Sequence, residues 1–350
     1  MKKYLTLADG QTFIGEAHGD KTAEIEGELV FTTSMTGYQE TITDPSYDGQ
    51  IILFTSPLIG NYGVSEGINQ SSSITARAVI VREMTAEVYH YQSKTTMNDF
   101  LKAAGVPAIS GIDTRHLTKI IRHFGTMNAS LTNQPVSYEQ IANLSETSGF
   151  RTNITPSSSN RPVVVIDFGV KNNIVKLLQA QNVPTTVVSP NSTLADIKAL
   201  EPSGILLSNG PGDPTDYTEL LPTIQALQEK YPIFGICLGH QLLALANGAT
   251  TYKLPFGHRG INHPVKDLTT GNIFITSQNH GYAVDVDSLA NTPLELTAED
   301  VNDKTCEGLQ YPGKPVFSVQ FHPEAAPGPH EATKLFNKFV NYVHGGTTNA

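Results

Sequence analysis

The sequence predicts an α/β protein in which a C-terminal open, mainly parallel sheet is flanked by helices and an N-terminal domain is strand-rich and α+β. Strand-like and helix-like segments alternate after residue 162, as in parallel βα folds. Strand-like segments dominate before residue 150, and the polar stretch TNITPSSSN separates the two patterns. We therefore predict a first domain at 1–150, a linker at 151–161, a second domain at 162–344 and a short tail at 345–350.

The first domain begins with alternating residues that predict a hairpin, turning at Asp9-Gly10. Strands are predicted at 4–7, near Phe13, at 29–33, 51–55 and 78–81, and helices only at 97–104 and 115–124, the second capped by Asp113 or Thr114. Two further stretches, 34–47 and 57–63, are dense in hydrogen-bonding groups. Their composition leaves ordinary turn chemistry and a functional role equally open.

The second domain shows the alternation that defines the fold class. Strands are predicted at 163–167, 185–188, 205–208, 232–236, 273–276, 284–286, 294–298 and 316–320, and helices at 171–181, 194–200, 218–230, 238–246 and 331–343. Open α/β sheets hold their ligands at the carboxyl ends of their strands. We therefore expect the reactive residues to follow these strands.

Cys237 lies between the predicted strand 232–236 and the predicted helix 238–246. The surrounding GICLG has the small-x-nucleophile-x-small pattern of a nucleophile elbow, in which a strained turn pushes the central side chain outward. The helix N-terminus favours the thiolate, and the Leu238 amide points toward an oxyanion formed beside the sulfur. We expect an exposed, nucleophilic sulfur here; the common alternative is a buried, inert cysteine.

A cysteine nucleophile needs a base and a group that orients the base. His322 follows an apolar strand, and Glu324 stands two residues later, on the same side if the chain stays extended, as Pro323 favours. The alternative is a surface His-Pro-Glu turn. The second candidate for the base is His280, but it has no carboxylate neighbour in the sequence, so we expect it to have a substrate-side or structural role. We expect His240 to be packed on its own helix.

The glycine-rich stretch 208–214 follows a strand and could hold an anion on its backbone amides. The chain contains neither GxxxxGK[ST] nor a GxGxxG that opens a helix, so we expect a second oxyanion donor here rather than a nucleotide site. Neither HExxH nor paired CxxC occurs, and we predict no metal. Cys306 is expected to be a packing residue.

Composition limits the partners and the compartment. The 350 residues carry 23 Lys and Arg against 33 Asp and Glu, a net charge of -10, which argues against a nucleic-acid surface. Two cysteines cannot form a disulfide framework, the N-terminus has no signal-peptide pattern, and no window is apolar enough to span a membrane. We expect a cytoplasmic protein with neither nucleic-acid nor membrane partners.

These motifs resemble a known family. The run from Gly235 to Gln241, taken with His322-Pro323-Glu324, resembles the triad glutaminase domain of class I glutamine amidotransferases. Over almost the whole chain, the stretches 34–40, 44–47, 208–214, 278–281 and 323–330 resemble the small, glutamine-hydrolysing subunit of carbamoyl phosphate synthetase. The second domain is thus expected to have the amidotransferase fold.

The resemblance implies Cys237, His322 and Glu324 as a catalytic triad. It also implies a pocket for L-glutamine lined by Ser46, Gly210, Gly212, Leu238, Gln241, Asn279, Gly281 and Tyr282. Phenylalanine is common in the family where Tyr282 stands, and a contact through the backbone would keep its role.

The resemblance further implies a glutaminase that works with a large synthetase subunit in a heterodimer or a higher assembly of heterodimers. That subunit would use ATP and Mg with bicarbonate, receive ammonia through a tunnel and make carbamoyl phosphate for arginine or pyrimidine synthesis. No cofactor is expected on this chain, and its first domain is expected to hold the partner. The alternatives are a glutaminase for another synthetase, such as that for anthranilate or GMP, a free-standing γ-glutamyl cysteine hydrolase, and a non-catalytic scaffold.

Overall fold

A computed structural model of the chain describes residues 1–137 and 161–346. Of these, residues 1–137 with Pro255–Gly260 form one compact unit, and the remaining described residues form a second. The predicted linker at 151–161 lies outside the described residues except for Arg161, and the domain boundaries remain a prediction. Pro255–Gly260 lies within the range predicted for the second domain, and the sequence did not predict that it belongs to the first unit. No helix in the described residues is long and apolar enough to cross a membrane.

The first unit is built around a closed barrel of seven strands. The strands of this unit are β1 (Lys2–Leu7), β2 (Thr12–Gly19), β3 (Ile25–Thr32), β4 (Gln50–Phe54), β5 (Leu58–Ile59), β6 (Ala78–Ile80), β7 (Glu83–Met84), β8 (Pro107–Ser110) and β9 (Met127–Thr132). The barrel order is β1-β2-β8-β6-β4-β3-β9, and β5 pairs with β7 separately. Since the barrel closes on itself, its seven strands leave no unpaired edge.

Among its described residues, this unit has three α-helices: α1 (Tyr38–Ile42), α2 (Met97–Ala103) and α3 (Thr114–Phe124). Asp113 caps α3 by accepting a hydrogen bond from the His116 amide at 3.0 Å. Leu117 and Ile121 of α3 pack on one strand face, whereas Met97 and Leu101 of α2 pack on the other. Alternate residues along the central strands therefore face two separate apolar clusters.

The prediction that helices of this unit are confined to 97–104 and 115–124 is wrong, because α1 lies within the stretch 34–47. Its N-cap Gly37 has φ 78° and no side-chain cap. The amides of Gly37 and Tyr38 instead donate to the Tyr62 hydroxyl, at 2.6 and 3.1 Å. A five-residue helix with so distant a cap leaves no local periodicity to detect.

The second unit contains a nine-stranded sheet. Its strands are β10 (Val163–Ile166), β11 (Thr185–Val188), β12 (Gly204–Leu207), β13 (Ile233–Ile236), β14 (Thr251–Asp267), β15 (Ile273–Val284), β16 (Glu295–Asp300), β17 (Cys306–Tyr311) and β18 (Val316–Val319). The order is β11-β10-β12-β13-β18-β17-β16-β14-β15. In this order, the strands from β11 to β18 pair in parallel. The β18-β17, β17-β16 and β16-β14 pairings are antiparallel.

Helices cover both faces of the parallel part. They are α4 (Asn172–Ala180), α5 (Leu194–Ala199), α6 (Leu221–Gln228), α7 (Leu238–Ala246) and α8 (Lys334–Val343). Apolar residues of α4 and α8 join one core cluster, whereas those of α5, α6 and α7 join the other. Along β10, alternate valines enter each cluster in turn, as the period of a strand requires. The predicted α/β class is confirmed.

Several predicted elements differ in extent. The predicted helix at 218–230 is a 3-10 helix, Pro214–Leu220, followed by α6, and α8 is likewise preceded by a 3-10 turn, Glu331–Thr333. The strand predicted at 284–286 is wrong, since Val284 ends β15 and a 3-10 helix begins at Val286. The strands β5, β7, β8, β9, β14 and β17 are absent from the prediction.

Candidate active site

Four neighbouring parallel strands, β10, β12, β13 and β18, end at the same edge of the second unit's sheet. Each is followed by a segment that carries a polar group or a glycine turn. These segments contain Lys171, the stretch 208–212, Cys237, and His322 with Glu324. The candidate site lies at the sheet edge where open α/β sheets hold their ligands.

Cys237 forms the predicted elbow. It lies directly between β13 and α7 with φ 54° and ψ -104°, a conformation that a non-glycine residue rarely adopts. A Cβ atom at Gly239 would stand 2.2 Å from the carbonyl oxygen of Leu207, and one at Gly235 would stand 2.7 Å from that of Gly239. Both glycines are therefore required for the close approach of helix and strand at the elbow.

The expectation of an exposed sulfur is wrong, because Cys237 is only 2% exposed. Its Sγ donates to the carbonyl oxygen of Asn279 at 3.6 Å, and the residue packs in the same core cluster as Phe321. The strand β15, which supplies Asn279, covers the sulfur. Local sequence does not reveal this cover, since it comes from a strand about 40 residues away.

His322 and Glu324 meet as predicted, with Nδ1 and Oε1 2.7 Å apart and both side chains buried. The His322 amide donates to the Ser277 carbonyl at 2.9 Å, which fixes the backbone after β18. The chain then turns rather than staying extended, since the Ala325 amide donates back to the His322 carbonyl at 3.2 Å. The turn still places the carboxylate on the ring.

The electrostatics favour a protonated His322. Burial alone would lower its pKa, but the carboxylate of Glu324 and the sulfur of Cys237 overcome burial and raise that pKa to about 10. Nε2 makes no conventional hydrogen bond among the described residues, so the sulfur acts on the ring mainly through charge. The imidazole can therefore hold a proton on the side opposite Glu324.

Lys171 is a member of this cluster that the sequence analysis missed. It is 1% exposed, its Nζ lies 3.0 Å from Oε1 of Glu324, and it donates to the Ala325 carbonyl at 2.6 Å. Burial would raise the pKa of Glu324, yet Lys171 and His322 lower it to about 2. The available signal is its position, because Lys171 follows β10 at the carboxyl edge of the sheet; its place at the start of a predicted helix does not by itself indicate a role in the site.

The glycine turn after β12 approaches the backbone closely. A Cβ atom at Gly210 would lie 2.3 Å from the Phe168 carbonyl oxygen, and Gly212 has φ 91°. The Ser208 carbonyl accepts from the Gly239 amide at 3.0 Å, and Oδ1 of Asn209 accepts from the Lys171 amide at 3.2 Å. The turn is thereby joined both to the elbow and to the buried lysine.

Gln241, one helical turn after Cys237, donates through Nε2 to the Tyr282 carbonyl at 2.8 Å. On the segments that follow β12, β13 and β18, the second unit places the predicted residues Cys237, His322, Glu324, Gly210, Gly212, Leu238 and Gln241. The predicted residues Asn279, Gly281 and Tyr282 lie on β15, whose backbone contacts the Cys237 sulfur through Asn279 and the Gln241 side chain through Tyr282.

Ser46 belongs to the first unit, on the 3-10 turn Pro45–Tyr47, where its amide donates to the Asp44 carboxylate at 2.9 Å. It is buried there. Its assignment to the glutamine pocket remains a prediction.

Two other histidines are placed by the structure. His280 has Nε2 4.0 Å from the Glu307 carboxylate of β17, a neighbour in space that the sequence around His280 does not contain. His240 is fully buried, with Nδ1 2.9 Å from the Ser318 hydroxyl. It is packed within the unit, as expected.

Comparison with known proteins places the chain in a family. Residues 164–342 match the model described as glutamine amidotransferase class-I, and residues 5–131 match that described as carbamoyl-phosphate synthase small chain, CPSase domain. The carbamoyl phosphate synthase small chain of Listeria monocytogenes is 48% identical over 98% of this chain and 97% of its own length.

Two further relatives agree. The carbamoyl phosphate synthase small chain of Streptococcus mutans is 47% identical over 98% of this chain and 97% of its own length. The Lactiplantibacillus plantarum protein named carbamoyl phosphate synthase pyrimidine-specific small chain is 47% identical over 98% of this chain and 96% of its own. The chain is therefore a member of the carbamoyl phosphate synthase small-chain family, with a class I glutamine amidotransferase domain at its C-terminal end.

Proposed function

We propose that this chain is the glutaminase subunit of a carbamoyl phosphate synthetase, with Cys237, His322 and Glu324 as its catalytic triad. The observation that carries the proposal is the elbow cysteine beside a buried histidine whose Nδ1 lies 2.7 Å from a carboxylate. This arrangement has the nucleophile, base and orienting group that acyl transfer through cysteine requires.

The proposed reaction begins with attack of the Cys237 thiolate on the side-chain amide carbon of L-glutamine. His322 gives its proton to the departing nitrogen, so that ammonia leaves and a γ-glutamyl thioester remains. His322 then takes a proton from water, whose hydroxide attacks the thioester. Glutamate leaves and the thiolate returns. The Leu238 amide and the turn of Gly210 and Gly212 would stabilise the oxyanion of both steps.

The product implies a partner. Ammonia released into neutral water is protonated and loses its nucleophilicity, so the proposed chain passes it through a tunnel to a large synthetase subunit. That subunit would bind ATP and Mg and make carbamoyl phosphate from bicarbonate, in the cytoplasm, for pyrimidine or arginine synthesis. The name of the Lactiplantibacillus relative supports the pyrimidine route. The first unit would hold the partner, in a heterodimer.

The test is glutamate release by the purified chain, alone and with a large subunit, ATP and bicarbonate. We expect weak release alone and a rise of at least tenfold with the partner, because a coupled glutaminase is useful only when an acceptor is present. Full activity alone, indifferent to the partner, would instead support the free-standing γ-glutamyl hydrolase. No release in either condition would support the scaffold reading.

A further inference from the structure

Gln320 is a buried polar residue that the proposed mechanism does not use. It follows β18 directly and precedes His322 by two positions. Its side chain is fully buried, and its backbone amide donates to the backbone carbonyl of Glu307 at 3.0 Å. A buried glutamine at the end of a catalytic strand requires a hydrogen-bonding explanation.

The side-chain partner of Gln320 is Gln241. Oε1 of Gln320 accepts from Nε2 of Gln241 at 3.0 Å, and the same nitrogen donates to the Tyr282 carbonyl at 2.8 Å. A primary amide nitrogen carries two protons, so the protein uses both. Within the described ranges, no group donates to Oε1 of Gln241. The only polar atom that Gln241 can offer to a ligand is therefore an acceptor.

The two contacts also determine the amide orientations. Rotating the Gln241 amide would bring its oxygen against the Tyr282 carbonyl, and rotating that of Gln320 would bring two nitrogens together. In the orientation observed, Nε2 of Gln320 is buried and has no hydrogen-bond partner in the described part of the chain. The contact that Gln320 makes with its side chain is thus the one that holds Gln241, and a role in positioning Gln241 explains why this glutamine is buried here.

The acceptor lies beside the nucleophile. Gln241 is four residues after Cys237 on α7, hence on the same helix face. The strand that fixes Gln241 through Tyr282 also contacts the sulfur through the Asn279 carbonyl. An amide acceptor at this place complements a cationic donor group of a substrate.

We infer that Gln320 is a positioning residue that presents the Gln241 carbonyl oxygen to the α-ammonium group of the substrate. The site therefore selects amides that carry a charged α-amino group over those that lack one. This inference rests on the proposed glutaminase function and deepens it, since it assigns the selectivity to a residue that does not touch the substrate.

The test compares L-glutamine with glutaramate, which has the same side-chain amide and carboxylate but no α-amino group. In Gln320→Met we expect the KM for glutamine to rise about tenfold, the size expected for a lost hydrogen bond to a charged group. The KM for glutaramate should change less than twofold, and kcat for both substrates should stay within about threefold. Gln320→Glu keeps an acceptor oxygen and should restore the preference for glutamine.

Gln228→Met is a matched control, because it removes another buried glutamine. Gln228 lies at the end of α6, and its Nε2 donates to Oδ1 of Asn247 at 2.9 Å. It should leave both KM values unchanged. Equal rises in both KM values for Gln320→Met, or a fall in kcat alone, would overturn the positioning role. If the wild-type chain with its partner releases no glutamate at all, the proposed function fails. If the wild-type complex releases glutamate and Gln320→Met keeps a wild-type KM for glutamine, only this inference fails.

Discussion

The second unit contains two buried cysteine–histidine pairs, and they differ in chemistry. Cys237 interacts with His322, whereas Sγ of Cys306 lies 3.8 Å from Nε2 of His240. All four residues are at most 2% exposed. His240 is only three residues from Cys237 on the same helix. Residue type, burial and neighbourhood are thus shared by the two pairs.

Charge compensation separates the pairs. Behind His322 stands the Glu324 carboxylate, itself held by Lys171, and the pKa of His322 is raised. In the described part of the chain, the group behind His240 is the Ser318 hydroxyl rather than a carboxylate, and burial lowers the pKa of His240 to about 3. Burial likewise raises the pKa of the Cys306 thiol. In this unit, the carboxylate that supports the imidazolium of His322 is therefore what separates the two pairs.

The sharpest test of this contrast replaces each cysteine by serine. Cys237→Ser should lower glutamine hydrolysis by at least about 10⁴-fold, as loss of a nucleophile does, while ammonia-dependent synthesis by the reconstituted complex persists. Cys306→Ser should keep hydrolysis within about threefold and cost about 1 kcal/mol of stability. Steady-state glutamate release measures both. Comparable losses from the two substitutions would erase the distinction.

The histidines should differ next. His322→Asn should lower kcat by about 10³-fold, because general acid–base catalysis contributes 10²- to 10⁴-fold, whereas His240→Asn should stay within about fivefold. The assay is the same, with thermal unfolding as a check on folding. A loss at His240→Asn as large as that at His322→Asn would mean that the second pair takes part in the reaction.

Removing the Glu324 carboxylate should make the Cys237–His322 pair resemble the Cys306–His240 pair, whose histidine has a lowered pKa. Glu324→Gln removes the main cause that raises the pKa of His322 and leaves burial, which lowers it. We expect a loss of about 10²-fold, less than for His322→Asn, and an alkaline limb of the kcat/KM profile that moves to lower pH. Profiles between pH 6 and 10 measure the shift. An unmoved alkaline limb would show that Glu324 does not control the imidazolium.

The smallest effect concerns stability. The pKa of His240 is lower in the folded chain than its ordinary value of 6.5, so only the unfolded chain takes up this proton between pH 6.5 and about 3. Because of His240, the free energy of unfolding is therefore highest above pH 6.5, and at pH 5 it is lower by roughly 2 kcal/mol. His240→Asn should lose less stability than wild type between pH 7 and 5, as measured by urea unfolding. A steeper loss in the variant would contradict this sign.

Local signals placed most of the site in advance. The glycines around Cys237 predict the elbow because a Cβ atom at either position would stand 2.2 or 2.7 Å from a backbone oxygen, too close for any other residue. The pairing of His322 with Glu324 follows from two residues of separation at a strand end, even though the chain turns there. Both features depend on neighbours within a few positions, which the sequence displays directly.

The remaining features depend on residues that are far apart in the chain. Lys171 pairs with Glu324, which is 153 positions later in the chain. Cys237 is covered by Asn279, 42 positions later, and Gln241 is bound by Gln320, 79 positions later. Neither β17 nor β14 carries a periodicity that marks it, because their burial is set by neighbouring strands. The sequence by itself determined the α/β class, the elbow and the candidate triad. Tertiary structure alone decided which charges are buried together, since desolvation and pairing depend on the whole surrounding fold.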